Sequence, residues 1–119
     1  MATNNLVGLS FAGGITGATA DISISNSIAS ENAQGISVGS GSALTISIDN
    51  STTKGNSSWG IAGFNPGIIL LNRSVIQGNG IGIENGTNPS TFFTYGNNAI
   101  DFNTQNFDGF ALNTITKLR

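Results

Sequence analysis

The chain has 119 residues, room for one domain, and only 8% of them are charged, for a formal net charge of −2. The whole basic inventory is Lys54, Arg73, Lys117 and Arg119, which provides no basic patch for nucleic acid or for an anionic membrane surface. With no Cys and no His, disulfides, thiol nucleophiles, imidazole bases and the usual zinc sites are excluded; no metal or cofactor is expected, and no window of about 20 apolar residues exists to span a membrane as a helix.

The opening Met-Ala-Thr-Asn-Asn lacks the basic and apolar regions of a secretory signal. Residues 1–19 read as an irregular first coil. Leu6, Val7, Leu9 and Phe11 form a strand, and Gly13 to Gly17 form a loop. Nothing amphipathic precedes this coil, so it is expected to leave an open strand edge, a site of association.

Residues 20–110 read as regular coils. Four strand cores recur every 23 or 24 residues: Ile22–Ile24, Ile46–Ile48, Ile69–Leu71 and Phe93–Tyr95. A short strand follows each, around Ile28, Thr52, Val75 and Ala99. A third strand opens with Gly-Ile at Gly35, Gly60 and Gly82, and with Gly109-Phe110 in the last coil. A Gly-, Ser-, Asn- and Pro-rich link of variable length then leads to the next coil. Strict alternation in Ala43 to Asp49 places Leu44, Ile46 and Ile48 on one face. β-Branched residues favour strands, whereas Ser, Asn and Gly are weak helix formers. Three short strands per repeat, about 24 residues and about 80 Å of path, predict an all-β right-handed parallel β-helix of about four to five coils forming one domain over 1–119. Residues 111–119 are either the last rung or a tail capping the outer face.

Two columns of polar residues mark the turns. The first is Asn26, Asn50, Arg73 and Asn97; the second is Asn32, Asn56, Asn79 and Asn103. Asn tolerates the left-handed backbone of a sharp turn, and stacked amides can hydrogen-bond from coil to coil. These asparagines are therefore expected to be structural ladders. The predicted outward face drifts along the stack. One column reads Asp21, Thr45, Ile68 and Phe92, and its neighbour reads Ser23, Ser47, Leu70 and Thr94. An exposed apolar patch usually has a partner, so Ile68, Leu70 and Phe92 are candidate interface residues.

With these repeats laid out, the chain resembles the bacterial right-handed parallel β-helix repeat proteins of pectate-lyase-like architecture. The most specific stretch is Tyr95-Gly96-Asn97-Asn98-Ala99-Ile100-Asp101-Phe102-Asn103 followed by Asp108-Gly109-Phe110. It is similar to the closing coils of a family of largely unassigned function. The resemblance implies a secreted or cell-surface parent protein with more coils toward its N-terminus.

Some proteins of that architecture are polysaccharide lyases or hydrolases, which need a Ca²⁺-binding acidic cluster with an Arg or Lys base, or close carboxylates. The alignment offers one such constellation, Asp21, Asp49 and Arg73, with solvated surface charges as the plainer account. Trp59 and Tyr95 are the candidate sugar-stacking residues, with packing over the neighbouring coil the competing account of Trp59. Gly78 to Gly82 is Gly-rich but precedes no helix, so it is not a phosphate loop. The reading as a whole is a non-catalytic structural or interaction module that self-associates through its open first coil or outer apolar strand face. The alternative is a carbohydrate-binding or lyase-like surface module with a polysaccharide as partner.

Overall fold

The computed structural model describes residues 1–11, 19–39, 43–63, 68–86, 92–109 and 112–114. Its strands run in chain order as β1 (Ala2–Thr3), β2 (Val7–Phe11), β3 (Thr19–Ser25), β4 (Ile28–Ser30), β5 (Gln34–Val38), β6 (Ala43–Asp49), β7 (Thr52–Lys54) and β8 (Trp59–Gly63). They continue as β9 (Ile68–Asn72), β10 (Val75–Gln77), β11 (Ile81–Asn85), β12 (Phe92–Thr94), β13 (Ala99–Asp101), β14 (Gln105–Gly109) and β15 (Asn113–Thr114). Every third strand pairs in parallel, giving three five-stranded sheets: β1-β4-β7-β10-β13, β2-β5-β8-β11-β14 and β3-β6-β9-β12-β15. The chain is a parallel β-solenoid of about four turns, as the 23–24-residue repeat predicts.

The core follows from period-two alternation. Ile46, Ile69 and Phe92 stack in register and are all 0% exposed. Ile48 and Leu71 form a second inward column, Ile76 lies on the second wall, and Ile36, Ile61 and Ile83 on the third. Like side chains at the same height of successive coils pack without rotamer conflict, and each coil relies on its neighbours to cover it.

One register differs from the sequence reading. Phe92 pairs with Ile69, Phe93 with Leu70 and Thr94 with Leu71. Phe92 therefore points into the core, and the predicted outward, interface role for it is corrected. Phe93, predicted inward, takes the outward place above Leu70, while Thr94 turns inward. The cause is an extra residue in the following turn. From Leu71 the chain reaches Val75 in four residues, but from Thr94 it needs five to reach Ala99, the partner of Val75. A one-residue slip exchanges the two faces of a strand. Similarly, the top-coil counterpart of Gly82-Ile83 is Asn106-Phe107, since Ile81 pairs with Gln105 and Ile83 with Phe107. Gly109 instead pairs with Asn85, and Phe110 lies outside the described residues. The start of the chain is more regular than expected: β1 pairs with β4 and β2 with β5.

Two corners repeat a left-handed residue in every coil. At one, Asn26, Asn50, Arg73 and Gly96 have φ of 50°, 47°, 47° and 77°; at the other, Asn4, Glu31, Gly55, Gly78 and Phe102 lie between 54° and 65°. The first corner is exposed, and its amides meet singly, Asn50 Nδ2 donating to Asn26 Oδ1 at 2.6 Å. Next to it runs a hydroxyl ladder. Ser27 N donates to Ser51 Oγ at 3.2 Å, Ser51 N to Ser74 Oγ at 3.3 Å, and Ser74 N to Asn98 Oδ1 at 2.8 Å.

The second corner carries the buried ladder. Each asparagine backbone N–H donates to the side-chain oxygen of the next coil's asparagine: Asn5 to Asn32 at 2.9 Å, Asn32 to Asn56 at 3.0 Å, Asn56 to Asn79 at 3.0 Å and Asn79 to Asn103 at 2.9 Å. From Asn32 on, each Nδ2 reaches back to a carbonyl of the preceding coil, as Asn56 does to Ala29 at 3.1 Å. The recurring Gly of the third strand makes room for these amides. A Cβ on Gly35, Gly60 or Gly82 would lie 2.7–2.8 Å from the Nδ2 of Asn56, Asn79 or Asn103.

Replacing Asn56 by Ala strands several buried partners at once and is expected to cost about 3 kcal/mol. Asn50→Gly, at an exposed left-handed position, is expected to change stability by less than about 0.5 kcal/mol. Urea denaturation of the two variants checks the contrast; equal losses would mean that burial of the second ladder carries no special weight.

Candidate functional site

The predicted constellation Asp21, Asp49 and Arg73 comes together only in part. Asp49 ends β6, and Arg73 occupies the left-handed turn directly after β9, so stacking brings them to one corner. Arg73 Nε and Nη2 bind Asp49 Oδ1 and Oδ2 at 3.1 and 2.5 Å, a bidentate pair, and Asn72 Nδ2 adds a third bond to Asp49 Oδ1 at 2.7 Å. The turn of the next coil locks the same corner: Asn97 Nδ2 donates to Asn72 Oδ1 at 2.7 Å, and Arg73 N donates to Asn97 Oδ1 at 3.1 Å. Asp21 pairs with Thr45, four positions before the Asp49 rung, which places it about 13 Å along the strand. Asp21 therefore does not join the pair.

The Arg73 guanidinium, by hydrogen bonding first, holds the Asp49 carboxyl below its ordinary value, against the opposing effect of burial. A carboxylate so held is a poor proton acceptor, and a guanidinium bound through two of its three nitrogens is a poor base. The corner is an electrostatic clasp between coils, and its exposure limits what it adds to stability.

An acidic pair lies on the outer face of the third-strand sheet, where Glu84 of β11 stands directly opposite Asp108 of β14. Partial burial, and then the Asp108 charge, push the Glu84 carboxyl above its ordinary value. Among the described residues, no group of three or more His, Cys, Asp or Glu lies close enough to hold a metal ion.

The candidate aromatics do not share a face. Trp59 opens β8, whereas Tyr95 lies in the turn after β12, two coils on and on another side of the prism. Among the described residues the most exposed aromatics are instead in the last coil: Phe102 at 83% and Phe107 at 44%. Phe102 is also held at φ 54°, an unfavourable backbone for a bulky residue. Of the predicted interface residues, Ile68, the first residue of β9, is exposed and Leu70 is half-buried.

A hollow of about 570 Å³ lies at the closing end and is lined by residues that include Thr94, Asn98, Ile100, Phe107, Leu112 and Thr114. Thr94, Ile100 and Phe107 continue the inward columns of Leu71, Ile76 and Ile83, so the hollow is the end of the core as the described residues leave it. At the opposite end Leu9, Phe11 and Ile22 are likewise only partly buried. Sequence reasoning missed the closing end, because it placed Thr94 outward and took Gly109-Phe110 as the last coil's counterpart of Gly82-Ile83. Comparison with protein-family models, with curated proteins and with solved structures returns no match.

The two acidic sites respond oppositely to pH. Glu84 holds its proton more tightly in the folded chain, so its contribution is full below the ordinary value of 4.5 and is lost as pH rises through the raised one. Asp49 contributes fully above the ordinary value of 3.8, and that contribution is lost as pH falls through the lowered one. Glu84→Gln is therefore expected to melt higher than wild type at neutral pH, with the gain gone below about pH 4. Identical melting at neutral pH would show that Glu84 and Asp108 do not oppose each other.

Proposed function

We propose that this chain is a non-catalytic interaction module, a β-solenoid that associates with a second copy of itself through its first coil. The carrying observation is the state of the core there. Leu9, Phe11 and Ile22 are only partly buried, whereas their register partners Ile36, Val38 and Ile46, one coil further in, are at most 1% exposed. Among the described residues no strand pairs with the outer edges of β1, β2 and β3. A strand edge beside a half-covered core favours pairing with another chain. The parallel three-sheet architecture also supports a kinship with bacterial pectate-lyase-like right-handed solenoids and, with it, a secreted or cell-surface setting.

The second reading is a carbohydrate-contacting surface, and exposed Phe102 and Phe107 in the last coil are what favour it. Rings of this kind stack on sugar faces without any catalytic group. The clasped state of Arg73 and Asp49 weighs against lyase chemistry at that corner.

Sedimentation velocity separates the readings. Wild type is expected to form a defined oligomer, Leu6→Glu at the exposed first-coil corner to shift it to monomer, and Ile68→Lys on the outer strand face to leave it unchanged. A wild-type monomer at all concentrations, together with polysaccharide retention abolished by Phe102→Ala, would replace the first reading by the second.

A further inference from the structure

The second ladder ends in an unusual way. In the interior coils the asparagine amide has an acceptor in the coil above, Asn56 Nδ2 donating to Asn79 Oδ1 at 2.8 Å and Asn79 Nδ2 to Asn103 Oδ1 at 3.0 Å. Asn103 has no asparagine above it among the described residues. Its Nδ2 donates instead to Asn106 Oδ1, three residues on in its own coil, at 3.0 Å. Asn106 thus provides, from within the last coil, the oxygen that a further rung would have brought.

The position of Asn106 has a second consequence. By the flanking pairs Ile81–Gln105 and Ile83–Phe107 it stands in the column of Gly8, Gly35, Gly60 and Gly82. In that column a Cβ projects toward the coil above. On Gly8, Gly35, Gly60 or Gly82 it would come within 2.7–2.8 Å of the ladder amide stacked over it. Four coils keep the slot empty with Gly, and the last fills it with Asn.

The two ends of the solenoid are otherwise matched. Asn4 and Phe102 share the same left-handed corner, at φ 58° and 54°. Asn5 begins the ladder that Asn103 ends. Continuing the repeat across two molecules would set Asn103 N–H against the Asn5 side-chain oxygen of a second copy. It would also set the Asn103 carbonyl against that copy's Leu6 N–H, as Asn5 O receives Ala33 N–H within the chain at 3.1 Å. Such a head-to-tail contact does not close on itself and would grow into a fibre.

We propose that Asn106 is the terminator of the ladder: it caps Asn103 and, by occupying the slot that the next asparagine amide needs, refuses the first coil of a second copy as a further rung. This rests on the self-association reading only in one respect, that the first coil is the surface refused. Association is then confined to contacts that close, such as first coil against first coil.

The test compares the association states of full-length wild type, Asn106→Gly and Asn106→Ala by sedimentation velocity and electron microscopy. Asn106→Gly empties the slot and is expected to add concentration-dependent end-to-end chains. Asn106→Ala keeps the obstructing Cβ but loses the cap; it is expected to keep the wild-type size and to melt about 3–6 °C lower. Head-to-tail fibres of wild type, an Asn106→Gly variant that is folded by circular dichroism yet unchanged in size, or fibres of Asn106→Ala equal to those of the Gly variant would overturn the proposal. Should Asn106→Gly fail to fold, Asn106→Ser supplies the arm that keeps a short acceptor in the slot: wild-type size with near-wild-type melting is expected, and fibre growth would overturn the proposal. A monomeric wild type with a polymerising Gly variant would sink the self-association reading while leaving the terminator standing.

Discussion

A buried amide that is satisfied only by the coils above and below it is the constraint on which this structure depends. Asn56 sits at 1% exposure and takes its partners from Asn32, Ala29 and Asn79, none of them in its own coil. Two other features follow from it. The Gly of the third strand is there because any larger residue would strike the amide stacked over it. The corner that presents each asparagine adopts a left-handed turn, repeated from Asn4 to Phe102. The apolar columns provide most of the favourable burial, but an Ile column tolerates sliding, whereas hydrogen bonds fixed at one height do not. The ladder therefore sets the register in which the Ile columns pack.

The columns near the start of the stack were legible in the sequence because their signals agree. Ile22, Ile46 and Ile69 alternate strictly, and the second asparagine column keeps the same spacing from each. In the fourth coil two signals conflict: Asn97 continues the turn column, yet Phe92 continues the core. Anchoring on the asparagine displaced the strand by one residue and turned Phe92 outward. The structure keeps the core and lengthens the turn, with Gly96 taking the left-handed position that Asn26, Asn50 and Arg73 hold elsewhere, and Asn98 replacing the ladder serine. The paired Gly96 and Asn98 were the signal of that insertion. Asn103 was legible as the end of its column. Asn106 was not, because its meaning depends on which residue it stands above, and that is fixed by register and not by spacing.

The ionisable groups show the same economy. Asp49 and Arg73 meet, as the alignment of their coils implied, but they meet as a bidentate pair already tied to Asn72 and Asn97. Asp21, on the same sheet, is set apart from them by strand length alone. Glu84 and Asp108 are the one facing acidic pair the described strands bring into register, on the outer surface of the last two coils. What distinguishes the end coils from the middle ones is less their chemistry than their incomplete burial, and this is why the functional reading concerns surfaces that meet other molecules.

The direction of the ladder bonds bears on how such a chain is made. Asn32, Asn56 and Asn79 each give the backbone N–H to the later coil and send the side-chain amide back to a carbonyl of the earlier one. As a chain emerges from its N-terminus, each new coil arrives with the acceptor its predecessor lacks and a donor for a carbonyl already in place. At any moment the newest rung is the growing open end, so the surface awaiting a later coil is one coil deep however many coils precede it. A solenoid built this way has a growing tip, and its polarity is the polarity of its synthesis.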